Sequence, residues 1–173
     1  ITSDISAQTI CENGFAGEYA CDGYDLYTYF PLSSVGGGDN GNDCWGWVDS
    51  ESGREFVLFG RSDGMSVVEI TDPLAPSFIA NLPTATYPSL WRDIKVIGDY
   101  AFIGSEAGMH GMQILDLTQV LDLSGFPFNI TATSNYLGFG NAHNLAANPE
   151  TNYVYGVGTN TFGGGLHIVD VSN

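Results

Sequence analysis

An Arg-Asp pair at Arg92 and Asp93, a His-Asn pair at His143 and Asn144, and an oxygen-rich run from Asp39 to Asp43 are where this 173-residue chain could do chemistry. An imidazole near a carboxylate and a guanidinium can hold a polar ligand, or position a metal that polarises an ester or phosphate. Asp39, Asn40, Asn42 and Asp43 in "GGGDNGND" supply the hard oxygen donors calcium takes, without the spacing or closing glutamate of an EF-hand. The plainer reading of that run is a surface linker. "GRSDG", from Gly60 to Gly64, matches the G-x-S-x-G of serine hydrolases. That elbow needs a helix after its serine, whereas "MSVVEIT" reads as a strand, so Ser62 is assigned to a hairpin turn. His110 sits in a Gly-flanked connector and His167 in an apolar strand, places too unlike each other and His143 for a three-histidine zinc site.

The elements that must position these residues repeat. "GMSVVEITDP" at Gly64, "GMQILDLTQ" at Gly111 and "GLHIVDVSN" at Gly165 share one pattern. It runs small, large apolar, variable, two apolar, acid, aliphatic, then Ser or Thr. Before each copy come a Val-, Phe-, Tyr- and Ile-rich run ("EFVLFG", "YAFIG", "YVYGVG") and, further upstream, another apolar patch with a turn cluster. Short β-rich runs joined by Gly and polar turns read as antiparallel meanders. Met65 and Met112 are 47 residues apart, and Met112 and Leu166 are 54 apart, the longer interval absorbing "VLDLSGFPFNITATSNYLGFG". A four-stranded propeller blade takes roughly 40 to 50 residues, and the 3.6-residue rhythm of helical repeats is absent.

The expected fold is therefore all-β: a β-propeller with blades over about 44–88, 89–139 and 140–173, within a partial propeller from 41 to 173. Residues 1–40 form an N-terminal segment that carries a disulfide. Three to three and a half blades are fewer than the four of the smallest closed ring, so further chain, another copy or a partner must complete it. Adjacent apolar positions in "SVVEI", "QILDL" and "HIVDV" predict strands covered on both faces. The acids Glu69, Asp116 and Asp170, each two residues before Thr71, Thr118 or Ser172, are read as strand ends. Aligning first strands at Trp47, Ile94 and Leu145 puts Trp45, Arg92 and His143 at one position, with Asp93 and Asn144 equivalent. Trp45, Arg92, Asp93, His143 and Asn144 are then candidates to converge on a ligand in the central channel, the competing role being hydrogen bonds between blades.

Twenty acidic residues face four basic ones, for a net charge of -16. Such a surface repels phosphate backbones, which excludes nucleic acid as a partner. No apolar run is long enough to be a transmembrane segment. Cys11 and Cys21, ten positions apart in a loop-like stretch, are placed to form a disulfide, which points to an oxidising compartment and export. Cys44 is left over, either buried beside Trp45 or paired with a cysteine outside this chain. "NIT" at Asn129 is a glycosylation acceptor pattern.

Together "CENGFAGEYAC", "WGWVDSESGREFVLFG", "DGMSVVEITDPLAP", "SLWRDIKVIGDYAFIGSEA", "HGMQILDL" and "AHNLAANPETNYVYGVG" resemble the secreted bacterial choice-of-anchor B proteins, built of LVIVD-type repeats. The resemblance covers the chain from Cys11 onward. It implies an exported or cell-surface β-propeller of which this chain is an incomplete part, since family members continue for several blades beyond the point matching Asn173. The function expected is a binding, adhesion or scaffold module, with calcium as the candidate stabilising ion and an extracellular protein, a glycan or copies of itself as partner. Two alternatives stand beside it: a metal-assisted hydrolase using His143, Asp93 and Arg92, and a self-assembling filament or matrix subunit.

Overall fold

The computed structural model describes residues 8–125 and 127–172. Two short strands, β1 (Phe15–Ala16) and β2 (Tyr19–Ala20), form a small antiparallel pair stapled by the Cys11–Cys21 disulfide. Four longer strands follow as a meander: β3 (Gly41–Val48), β4 (Glu55–Arg61), β5 (Gly64–Glu69) and β6 (Ser77–Pro83). The second meander has β7 (Arg92–Ile97), β8 (Tyr100–Ser105) and β9 (Met112–Asp116). The chain then returns to lay β10 (Phe128–Asn129) parallel on the outer edge of β6, before β11 (Ser134–Tyr136) closes the second sheet beside β9. The third sheet is β12 (Asn144–Asn148), β13 (Tyr153–Val157) and β14 (His167–Asp170). No α-helix occurs among the described residues. The long insertion is thus more than a connection, because it supplies a fifth strand to the first sheet and the outer strand of the second.

The sheets stack in chain order with their first strands adjacent, β3 beside β7 and β7 beside β12. One apolar layer, including Leu58, Met65, Val67, Ile94, Ile103 and Leu115, fills the space between the first and second sheets. Another, including Phe102, Met112, Phe139, Leu145, Val154 and Val169, fills the next. Burying both faces is why these strands carry runs of apolar residues rather than alternation. β5 follows that expectation, but β14 does not: Ile168 is 54% exposed, because among the described residues no sheet covers the far face of the third sheet. At the strand ends, the Thr71, Thr118 and Ser172 hydroxyls donate to Glu69, Asp116 and Asp170. These acids cap turns.

Polar clamps set the stacking register. Asp43 Oδ2 accepts the Ile94 amide at 2.8 Å, and Asp93 Oδ2 accepts the Leu145 amide. Each carboxylate lies at the start of a first strand and satisfies the amide of the next sheet's first strand. Lys95 Nζ bridges the two, 3.2 Å from Asp43 and 2.6 Å from Asp93. Trp47 adds a bond from Nε1 to Asp99 Oδ1 in the second sheet. Asp93→Ala leaves a buried amide and a part-buried ammonium short of an acceptor, so it should lower unfolding free energy by roughly 1.5–3 kcal/mol. Asp93→Asn, which keeps an acceptor oxygen, should lose less. Urea denaturation measures both, and an Asp93→Ala midpoint equal to wild type would show that the clamp contributes nothing.

Candidate functional site

In each antiparallel meander, the start of the first strand, the end of the second and the start of the third lie at one end of the sheet. That end gathers Arg61, Asp63, Arg92, Glu106, His110, His143 and His167. Two guanidiniums are buried here. Arg92 donates from Nε to Arg61 O at 2.8 Å, from NH2 to Thr84 Oγ1 at 2.8 Å and from NH1 to His110 Nε2 at 3.0 Å. Arg61 donates to Asp63 Oδ1 at 2.8 Å and to Asn81, and Asn81 in turn donates to Asn129 Oδ1 at 2.7 Å. A side chain on Gly36 would collide with the Arg61 guanidinium, so this close approach needs glycine, whose φ is +105°.

Burial pushes the Arg92 guanidinium down to about 10, still protonated at neutral pH. Because Arg92 can only donate, His110 Nε2 must accept, and its Nδ1 carries the proton toward Gly111 O at 3.1 Å. Burial, with the Arg92 charge adding to it, pushes the His110 imidazole down to about 4. Desolvation raises the Asp43 carboxyl, but hydrogen bonds from Asp93, the Ile94 amide and Lys95 outweigh it and hold Asp43 below its ordinary value. Burial, then the Asp43 contact, holds Asp93 above its own.

The candidate ligand residues separate into different surroundings. Arg92 faces His110, Asp93 faces Lys95 and the third sheet, and His143 stands exposed with Nδ1 2.5 Å from Glu106 Oε1. Trp45 is a correction. With Asp43 and Asp93 making the same bond, and Cys44 opposite Phe59 as Ile94 is opposite Ile103, the position of Arg92 in the first sheet is Asn42. Trp45 matches Lys95 instead, and its ring lies 4.7 Å from Lys95 Nζ. Fourteen residues separate the paired Cys44 and Phe59, against eight between Ile94 and Ile103, and this longer hairpin displaced the apolar alignment by three positions. Asn144 does match Asp93 and is exposed.

In the oxygen-rich run, the Asp39 amide donates to Ser62 Oγ, Asn40 O accepts the Ser62 amide, Asn42 Oδ1 accepts the Arg92 amide and Asp43 forms the clamp. Among the described residues, no three His, Cys, Asp or Glu side chains are grouped to hold a metal. Ser62 lies in the β4–β5 turn. Cys44 is exposed, and Asn129 lies in β10 with its carboxamide on Asn81. Sequence reasoning passed over Lys95, Glu106 and Trp91, and weighed His110 only as a zinc ligand. The acid or amide directly before an apolar first-strand residue (Asp43, Asp93, Asn144) was the available signal.

The exposed chemistry of this end is concentrated at one spot. Trp91, 44% exposed, tilts against His143 with ring centroids 5.8 Å apart. Its carbonyl accepts the Glu106 amide at 3.4 Å, while the Tyr87 hydroxyl accepts the Gly108 amide at 2.6 Å. Backbone bonds hold this aromatic and carboxylate surface in place.

The sheets, their repeated clamps and their buried interfaces define a β-propeller-like module. The LVIVD repeat family matches residues 91–117 and 140–173, each match spanning the three inner strands of the second or third sheet. Those two stretches are similar to LVIVD repeats. No curated protein and no solved structure matches the chain.

His110 predicts a pH dependence. Its ordinary value of 6.5 falls to about 4 on folding, so between these values the unfolded chain binds more protons. The stability due to neutral His110 is complete above about 6.5 and declines as pH falls toward about 4. Thermal melts of wild type and His110→Gln between pH 7.5 and 4 should converge as pH drops. Parallel curves would contradict the assignment.

Proposed function

We propose that this chain is an exported binding module whose loop end recognises a glycan. The observation that carries the reading is the exposed Trp91 ring held beside the His143–Glu106 pair. An indole face accepts the apolar face of a pyranose, and an adjacent carboxylate and imidazole take its hydroxyls. Nearby, Arg92 and His110 are joined in a buried bond and Arg61 is bonded to Asp63 and Asn81, contacts that stiffen the support. Export is supported by the Cys11–Cys21 disulfide, a bond that persists in oxidising compartments. Among the described residues, no helix is long and apolar enough to cross a membrane. The resemblance to choice-of-anchor B proteins supports display at a cell surface, where the net charge of -16 favours neutral or cationic glycans over sulfated ones.

A glycan array followed by titration calorimetry tests this. Trp91→Ala should weaken binding at least tenfold and Glu106→Gln several-fold, with thermal midpoints unchanged because both side chains face solvent. No binding across the array, or equal binding by Trp91→Ala, would sink the glycan reading.

A further inference from the structure

The disulfide-bearing segment holds a cleft that neither the sheets nor the loop end accounts for. It has a volume of about 310 Å³ and is lined by Ala16, Tyr19, Asp22, Tyr24, Asp25 and Leu26, with Cys21 beside them. Its walls all belong to residues 16–26, a stretch fastened at several points. The disulfide ties Cys21 to Cys11, β1 pairs with β2, and Thr9 and Leu26 exchange backbone bonds at 2.7 and 3.0 Å. Asp25 Oδ1 accepts the Cys11 amide and Oδ2 accepts the Gln8 side-chain amide, each at 2.8 Å. Gly23, at φ +78°, bends the chain between Asp22 and Tyr24, and both side chains reach the same cleft.

The lining sets aromatic rings against carboxylates. Tyr19 is 43% exposed and is backed by Tyr29, with ring centroids 5.7 Å apart, while Tyr24 is 81% exposed. A ring face attracts a cation through its quadrupole, and a neighbouring carboxylate adds its full charge. The chain supplies no such cation here. Residues 8–53 contain no Lys, Arg or His, and Arg54, Arg61, Arg92 and Lys95 are all bonded within the sheets and their turns. The cleft therefore suits a cation from outside.

Hydrogen-bonding capacity narrows the class. A primary ammonium brings three N–H donors, and a calcium ion takes six or more oxygens. Asp25 already accepts two bonds, which leaves Asp22 as the carboxylate of the lining with no hydrogen bond among the described residues. A quaternary ammonium donates no hydrogen bonds, so ring faces and nearby negative charge satisfy it. We propose that residues 16–26 bind a trimethylammonium group, Tyr19 and Tyr24 contributing ring faces and Asp22 and Asp25 the balancing charge. That group arrives either on a free small molecule such as choline or on a phosphatidylcholine headgroup. The cleft shares no residue with the Trp91 surface and does not rest on the glycan reading.

Choline chloride titrated into the isotope-labelled 173-residue chain at constant ionic strength should give saturable amide shifts centred on residues 16–26. Ethanolamine, which carries a primary ammonium instead, should bind several-fold more weakly. Tyr24→Leu should weaken choline binding about two- to fivefold, the worth of one exposed ring face, whereas Tyr24→Phe keeps the face and should bind as wild type. Asp22→Asn should also weaken it, and because both side chains are exposed the spectrum outside 16–26 should not move. Phosphatidylcholine vesicles that compete with choline would support the site and identify a headgroup as its source. Vesicles that do not compete, with choline still bound, would support it with a free cation as the source. No saturable shift, equal binding of ethanolamine, or a Tyr24→Leu variant that binds choline as wild type does would each overturn the proposal.

Discussion

A carboxylate at the start of one sheet's first strand, accepting the amide at the start of the next, is the contact on which this architecture turns. A first strand has its second strand on one side only, so its outward amides need an acceptor that does not come from its own sheet. Asp43 and Asp93 provide one for Ile94 and Leu145. The bond also sets lateral position, because a slip of one residue would present the wrong side chain to Gly60 or Gly104. Lys95 stands between the two side chains, and their proton affinities are displaced in opposite directions because hydrogen bonds outweigh desolvation at Asp43, whereas burial dominates at Asp93.

The loop end makes a different use of buried charge. Arg92 is enclosed by neutral acceptors: a carbonyl, a hydroxyl and an imidazole that must stay neutral to accept. A buried guanidinium without a carboxylate on it costs desolvation energy, which several well-directed bonds partly offset. The result is a joint that ties the β6–β7 and β8–β9 connections to the β4–β5 turn. It holds the exposed Trp91, Glu106 and His143 on rigid backbone, which a recognition surface requires.

Much of the architecture was legible in one dimension. The three copies of the repeat, the strand-rich runs before them and the turn clusters between them specify antiparallel meanders, because apolar periodicity and turn chemistry are local properties. The Cys11–Cys21 bond was equally legible, since ten residues of Gly-containing chain bring the two sulfurs within reach. The register between first strands was not. Trp47 and Ile94 look alike as apolar residues, and only the clamp geometry shows that Asn42, not Trp45, shares the place of Arg92. His110 was weighed only as a zinc ligand, because nothing local shows that Arg92 of another strand closes over it.

Composition, charge and the spacing of the repeat determined an all-β, acidic chain built from similar sheets, because each of those follows from residue type and neighbours along the chain. Tertiary structure alone decided which polar side chains meet. Arg92, Asp93 and His143 lie close in sequence register yet serve three separate partners, His110, Lys95 and Glu106. Whether a polar residue clamps, supports or faces solvent depends on which sheet packs against it. That packing joins residues about fifty positions apart, beyond the reach of any local pattern.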